Sequence, residues 1–282
     1  MIHLGLIGYP LSHSLSPQLH AAAFRALGLD GEYQLYPVAP DDNRGLAELT
    51  QRLRSGELQG LNVTIPHKQT IIPLLDELTP SAQAIGAVNT LYLKGDQLVG
   101  HNTDAPGFSA DLRRSFPEVA GEKNVIVMGA GGAARAVVYA LLTDGCNVTL
   151  AVRRADVEQA AALIESMRPA AGDGSVRSVL LEAEALSPLA DGIRLVVNAT
   201  PLGMSPKVGD CPWPEDLPFP RVATVYDLVY NPRETLLLRR VRAAGLRAAS
   251  GIGMLVEQAA LSFACWTGRE APREVMFGVV EA

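Results

Sequence analysis

The chain has 282 residues, 48% of them hydrophobic, enough for two domains that each bury a core. A net charge of −6 with 24 basic residues and no basic stripe excludes a nucleic-acid-binding surface. Three scattered cysteines, Cys146, Cys211 and Cys265, give neither a disulfide framework nor a zinc site, and no window is as long as an apolar membrane span.

Strand and helix patterns alternate from end to end, which predicts an α/β fold. His3–Gly8 reads as a buried strand. It lacks the basic start and long apolar run of a signal peptide, so a cytoplasmic protein is expected. Pro17–Leu27 reads as a helix with Leu19, Ala22, Ala23, Ala26 and Leu27 on one face, Ser16 as N-cap and Pro17 in its first position. Tyr33–Pro37 is strand-like. Leu46, Leu49 and Leu53 mark a helix that Gly56 ends. Gly60–Thr64 is the next strand. It breaks at Pro66, which has no N–H for a central ladder, and presents Thr64 and Lys68 at a sheet edge. That is where α/β folds carry their chemistry. Most lysines are simply exposed cations; the polar cluster Asn102-Thr103-Asp104 downstream argues for more here. Thr90–Leu93 and Gln97–Gly100 flank Lys94-Gly95-Asp96, a hairpin signal.

A composition shift near residue 103 opens a second β-α series. Val125–Met128 is an apolar strand, Ala134–Thr143 a helix and Asn147–Val152 a strand. The next helix is expected to face inward with Val157, Ala160, Ala161, Ile164 and Met167. Leu195–Val197 and Val222–Leu228 read as core strands. Between them Gly203–Arg221, with five prolines after Met204, is expected to be an irregular, mobile loop. Met254–Trp266 is a final helix. The expected organisation is a substrate-binding and catalytic domain over 1–102, joined by a C-terminal segment at about 255–282, and a dinucleotide-binding domain over 103–254. A cleft between them is where small-molecule sites concentrate.

Gly129-Ala130-Gly131-Gly132-Ala133-Ala134 follows a strand and opens a helix, fitting G-x-G-x-x-A. Gly129 makes the tight turn, Gly131 lets the backbone approach a pyrophosphate, and the helix N-terminus offers free N–H groups. The next strand ends at Val152-Arg153-Arg154. No carboxylate stands there to accept ribose hydroxyls, whereas two guanidinium groups suit a phosphate, which favours NADP over NAD. A solvated surface pair is the plainer alternative. Asp156 either caps the following helix or tolerates NAD.

Eight motifs occur in the order and spacing of shikimate dehydrogenases. They are Ser14-Leu15-Ser16, Asn62-Val63-Thr64-Ile65-Pro66-His67-Lys68, Ala87-Val88-Asn89-Thr90, Asn102-Thr103-Asp104, Gly129–Ala134, Asn198-Ala199-Thr200-Pro201-Leu202-Gly203-Met204, Asp227-Leu228-Val229-Tyr230 and Gly251-Ile252-Gly253-Met254-Leu255-Val256-Glu257-Gln258. The chain thus resembles that family over nearly its whole length. The resemblance implies reversible NADPH-dependent reduction of 3-dehydroshikimate to shikimate, in aromatic amino-acid biosynthesis. It further implies that Ser14 and Ser16 hold the substrate carboxylate, that Thr64, Asn89, Asp104 and Gln258 bind ring hydroxyls, that Tyr230 lines the site and that Lys68 is catalytic beside Asp104. On the cofactor side, Gly129, Ala130, Gly131, Gly132 and Ala133 would hold the pyrophosphate, Arg153 and Arg154 the 2′-phosphate, and Leu228, Gly251 and Met254 would border the nicotinamide. The implied partner is a small-molecule substrate, with no metal, nucleic acid or membrane; a homodimer stays open.

The residue types suit these roles. Two serines at a helix N-terminus make a small anion site, and simple capping by Ser16 is compatible with it. Asn, Thr, Gln and Asp together suit a polyol, whose hydroxyls each donate and accept. A lysine ammonium can protonate the alkoxide left by hydride delivery, with Asp104 orienting it. Two departures stand out: the family often has Asn-Arg-Thr at Val152-Arg153-Arg154 and a basic residue at Val157. His67 reads as a spacer; His13 and His101 carry no assignment. The alternatives are a quinate/shikimate dehydrogenase using NAD, which the serine pair disfavours, a folate-linked dehydrogenase, and a non-catalytic dinucleotide or metabolite sensor on the same fold.

Overall fold

The computed structural model describes residues 1–119 and 123–281. The chain divides into two compact units, Met1–Gly107 with Leu255–Ala282, and Phe108–Met254. The expected C-terminal segment ends at Ala282, which lies outside the described residues.

The first unit contains β1 (Ile2–Gly8), α1 (Ser16–Leu27), β2 (Gly31–Pro37), α2 (Asn43–Arg54), β3 (Gly60–Val63), β4 (Glu77–Leu78), α3 (Pro80–Ile85), β5 (Thr90–Lys94), β6 (Gln97–His101) and the start of α4 (Asp104–Ser115). Its strands form one mixed sheet in the order β2-β1-β3-β5-β6-β4. β1 pairs in parallel with β2 and β3, and β3 pairs antiparallel with β5. β1 and β3 are almost continuously apolar because both faces of the sheet centre are covered. Leu46, Leu49 and Leu53 of α2 bury against this sheet as their spacing predicts, with Ile7, Leu61, Val63 and Leu91. Asp42 caps α2 by accepting the Gly45 N–H at 2.8 Å.

Three expectations need correction in this unit. Ser16 is the first helical residue of α1, not its cap, and makes no capping bond. Ser14 instead accepts the Ser16 N–H on its hydroxyl, at 3.3 Å. On the same helix Leu19, Ala22 and Ala23 are buried as expected, but Ala26 is exposed and His20 and Phe24 turn inward as well. Finally, Lys94 pairs with Gln97, which shortens the hairpin turn to Gly95-Asp96.

The second unit contains the end of α4, then β7 (Asn124–Met128), α5 (Gly132–Thr143), β8 (Asn147–Val152), α6 (Val157–Met167), β9 (Ser175–Leu180), α7 (Ala183–Leu186), β10 (Leu195–Asn198), β11 (Thr224–Asp227), α8 (Leu236–Ala243), β12 (Ala248–Ser250) and the first residues of α9 (Ile252–Thr267). The chain then ends in α10 (Arg273–Glu281), in the first unit. The six strands of the second sheet are all parallel, in the order β12-β11-β10-β7-β8-β9. This is the doubly wound Rossmann order, with its switch point between β7 and β10.

α6 is rotated relative to the sequence reading. Ala160, Leu163 and Met167 are buried, whereas Val157 and Ala161 face solvent. Both stripes have helical spacing, so periodicity alone leaves the choice open. β11 starts at Thr224, and Val222 is exposed. Gly203–Arg221 is free of helix and strand, as expected, but it is not a free loop. Trp213, 2% exposed, and Leu217 sit in the core with Val196, Val225 and Leu237. Arg240 donates to the carbonyls of Trp213 (2.9 Å) and Pro214 (3.0 Å), tying the loop to α8. Among the described residues no helix is long and apolar enough to cross a membrane.

One polar residue in the first core has no polar partner. His20 on α1 is fully buried, stacked on the Tyr33 ring at 4.2 Å, and neither ring nitrogen is hydrogen-bonded. Burial pushes its pKa from 6.5 down to about 3. The folded chain therefore keeps the ring neutral where the unfolded chain takes up a proton. Stability from this site is intact above pH 6.5 and falls as the pH drops from there towards about 3. By linkage the loss is about 2 kcal/mol at pH 5. His20→Phe keeps the stack and removes the titration. Urea unfolding at pH 7.5 and pH 5 should show a smaller acid loss in the variant, by roughly that amount; equal losses would refute the assignment.

Candidate active site

β1 and β3 end side by side, and main-chain bonds carry the pairing past their ends: Thr64 N–H to the Ile7 carbonyl (2.8 Å) and Tyr9 N–H to the Ile65 carbonyl (2.9 Å). Pro66 then turns the chain. Thr64 and Lys68 thus stand beyond the carboxyl end of the third strand of six, not on a flanking strand. His67 is not a spacer. It is buried, with Nε2 2.8 Å from the Val38 carbonyl and Nδ1 3.2 Å from the Thr70 hydroxyl, and it pins the turn that follows Pro66. The Lys68 carbonyl accepts the Val88 N–H at 2.8 Å, fixing the lysine backbone against the segment that leads to Asn89.

From there Lys68 Nζ donates to Asp104 Oδ2 at 2.6 Å, with the two side chains only 13% and 5% exposed. Asp104 is the first residue of α4, where free N–H groups and the helix dipole favour a carboxylate. Asn102 closes this turn by accepting the Ala105 N–H on Oδ1 and donating to the Ala87 carbonyl. Asp104 Oδ1 accepts from Asn89 Nδ2 at 2.9 Å, and Gln258 Oε1 lies 3.4 Å from the same nitrogen. Gln258 reaches this point because α4 and α9 touch backbone to backbone: a Cβ on Gly107 would stand 2.9 Å from the Gln258 nitrogen. Lys68, Asp104, Asn89 and Gln258 therefore form one hydrogen-bonded cluster. Ser14 and Ser16 lie at the start of α1, Ser16 buried and Ser14 partly so.

Three residues of this cluster had no role in the sequence reading. Thr90, Thr103 and Ser262 are fully buried and hydrogen-bonded around Asn89 and Asn62. Thr90 and Thr103 lie inside recognised motifs, so they could have been found there. Ser262, in a hydrophobic helix, carries no sequence signal; only its spacing of four from Gln258 places it on the same face.

The other expected residues of the second unit follow the carboxyl ends of β7, β8, β11 and β12. Gly129 follows β7 with φ +105°, a conformation that L side chains rarely adopt. A Cβ there would meet Thr200 and the Ala199 carbonyl at 3.1 and 3.2 Å. Gly131 precedes α5, whose N-terminus no side chain caps, and a Cβ on Gly131 would meet nothing within 4 Å. Ala130, Gly132 and Ala133 complete this turn. Asn198 accepts the Thr200 N–H on Oδ1 (3.0 Å) and donates to Asp227 Oδ1 (2.8 Å), which joins the loops after β10 and β11. Burial raises the Asp227 carboxyl above its usual range, against bonds from Thr235, Val229 and Asn198. Leu228 and Gly251 pass in backbone contact; a Cβ on Gly251 would stand 2.2 Å from the Leu228 carbonyl oxygen. Met254 is buried and Tyr230 partly buried.

The two arginines are not free. Arg153 donates twice to Asp156, at 2.6 and 3.1 Å, and Arg154 pairs with Glu182 at 3.2 Å. Asp156 precedes α6 without capping it. Its carboxylate is turned to the guanidinium instead, the stronger charged partner.

The chain matches known proteins along nearly its whole length. The shikimate dehydrogenase substrate binding domain matches residues 6–91, and the shikimate 5′-dehydrogenase C-terminal domain matches residues 251–280. An NADP-dependent shikimate dehydrogenase of Salinibacter ruber is 43% identical over 98% of this chain and 96% of its own. Among solved structures, shikimate 5-dehydrogenase from Thermus thermophilus, in complex with NADP(H) and shikimate, is 36% identical, covers 100% of this chain and 99% of its own, and superposes with a TM-score of 0.84. Quinate dehydrogenase from Corynebacterium glutamicum in complex with NAD is 33% identical, covers 99% and 98%, and gives 0.87. Identity at this level, sustained along nearly the whole length and through both units, decides the matter: the chain belongs to the shikimate dehydrogenase family.

Proposed function

We propose that this chain catalyses the reversible NADPH-dependent reduction of 3-dehydroshikimate to shikimate, an oxidoreductase step at a CH–OH carbon in the shikimate pathway of aromatic amino-acid biosynthesis. The observation that carries the reading is the buried Lys68–Asp104 pair at 2.6 Å, with Asn89 and Gln258 around it, in a chain of this family. The first unit is read as the substrate domain and the second as the NADP domain.

Unit two suits a dinucleotide. The uncapped start of α5 leaves N–H groups for a pyrophosphate, and the space in front of Gly131 lets an anion come close to the main chain. Gly129, Ala130, Gly131, Gly132 and Ala133 would hold that group, Arg153 and Arg154 the 2′-phosphate, and Leu228, Gly251 and Met254 the nicotinamide end. When bound, NADPH supplies the hydride.

The remaining expected residues do the rest. Ser14 and Ser16 hold the carboxylate at the start of α1. Thr64, Asn89, Asp104 and Gln258 bind ring hydroxyls, and Tyr230 lines the site. Lys68 Nζ gives its proton to the oxygen of the reduced carbonyl and stabilises the charge developing there. Asp104 aims the ammonium. In the reverse direction Lys68 accepts the hydroxyl proton.

Lys68→Ala should lower kcat by about 10²–10⁴-fold, the usual contribution of a positioned acid-base group. Shikimate affinity by calorimetry should hardly change, since the other polar contacts remain. A variant that keeps most of its kcat would end the assignment. In initial-rate assays, NADP with shikimate should give strong activity, and quinate or NAD little. Comparable rates with quinate or NAD would move the chain to the quinate/shikimate dehydrogenases. Asp156 competes with a 2′-phosphate for Arg153. Because the Arg153 side chain is 68% exposed, the competition is weak, and Asp156→Asn should tighten NADP binding by about two- to fivefold. Calorimetry should show no matching gain for NAD; an unchanged NADP Kd would mean that Arg153 does not meet the phosphate.

A further inference from the structure

We propose that Thr90, Thr103 and Ser262 are positioning residues for the proton transfer: they lock the Asn89 amide so that Asp104 is held as a fixed acceptor for Lys68. This rests on the reading of Lys68 as the acid-base group. All three side chains are fully buried, so none offers a surface to the substrate.

The lock follows from counting donors. Asn89 Oδ1 lies 2.8 Å from the Thr103 main-chain N–H, a group that can only donate, so this end of the amide is the oxygen. The Thr90 hydroxyl donates to the same oxygen at 2.9 Å. Nδ2 is thereby turned the other way, towards Thr103 Oγ1 (2.8 Å), Asp104 Oδ1 (2.9 Å) and Gln258 Oε1 (3.4 Å). Asp104 receives only donors, from Asn89 on one oxygen and Lys68 on the other.

The hydroxyls are held in turn by Asn62. Its Oδ1 accepts from the Tyr33 hydroxyl at 2.8 Å, which sends Nδ2 to the Asn89 carbonyl (2.9 Å), Ser262 (3.0 Å) and Thr90 (3.2 Å). Ser262, whose hydroxyl also donates to the Gln258 carbonyl at 3.0 Å, lies 2.8 Å from the Thr90 hydroxyl and 3.1 Å from that of Thr103, so α9 closes the ring from the far side. One path of donors runs head to tail from Tyr33 through Asn62 and Thr90 to Asn89 and the carboxylate, while Asn89 also donates to Thr103. Bonds ordered head to tail in a dry interior strengthen one another, and an amide reversed within them would place its oxygen against Asp104.

Thr90→Val removes one hydroxyl without changing the outline of the side chain, Ser262→Ala removes the closing one, and Thr90→Ser restores the first. All are compared with wild type in shikimate oxidation across pH, with NADP affinity measured by calorimetry and folding by thermal unfolding. We expect kcat to fall about tenfold in Thr90→Val and Ser262→Ala, with its rise on the basic side moved by about half a pH unit. NADP affinity should stay at the wild-type level and Thr90→Ser should recover most of the loss. Folded Thr90→Val and Ser262→Ala proteins with the wild-type kcat and pH profile would overturn the proposal, as would an equal loss in Thr90→Ser. A wild-type protein inactive on shikimate would instead defeat the functional reading beneath it.

Discussion

Everything in the first unit serves one costly arrangement, a lysine and an aspartate paired at 2.6 Å and almost out of water. Removing two charges from solvent costs several kcal/mol per ion unless good geometry and further hydrogen bonds offset it. The fold supplies both. The turn after Pro66, pinned by His67, fixes where Lys68 begins. The start of α4 gives Asp104 free N–H groups and a favourable dipole, and Asn89 takes its second oxygen. Such a pair adds little net stability, but it can be aimed, and in the proposed reaction the aimed ammonium meets the developing alkoxide.

The same constraint explains the close meeting of α4 and α9. Asn89 and Gln258 are far apart in sequence, and they come within 3.4 Å only because Gly107 lets the helix backbones touch. That contact also brings in Ser262. The polar interior here is thus continuous, with Tyr33, Asn62, three hydroxyls, Asn89 and Asp104 in one network. A network of this kind rigidifies when every member is satisfied. His20, close by on Tyr33 yet without a hydrogen-bond partner, shows the other solution to burial: it stays neutral.

In the second unit the constraint is the parallel sheet. Its switch point brings the turn after β7 beside the loop after β10, and the Asn198–Asp227 bond extends the contact to β11. The Rossmann order makes a glycine-rich turn there meaningful, because the uncapped end of α5 opens at that point. The arginines after β8 have carboxylate neighbours of their own. On the proposed placing of a 2′-phosphate at these arginines, the phosphate competes with Asp156 for Arg153.

Much of this was legible from residues alone. The short apolar run Val125–Met128, stopped by Gly129, suits a buried strand, the leucine spacing of α2 suits a face turned to a core, and proline at 66 ends a ladder. Glycine patterns and the polar motifs identified the chemistry, because so few residue types can turn a chain tightly, hold a phosphate or move a proton. What periodicity left open was orientation: which stripe of α6 turns inward, whether Ser14 or Ser16 serves the helix start, and whether a proline-rich loop is packed. Those outcomes depend on what lies opposite, and a single segment does not contain that information. The sequence by itself determined the α/β class, the family and the candidate residues of each unit, because backbone chemistry and motif spacing are local. Only the tertiary structure decided the Lys68–Asp104 geometry and the place of Ser262, because each is a contact whose geometry is set by packing.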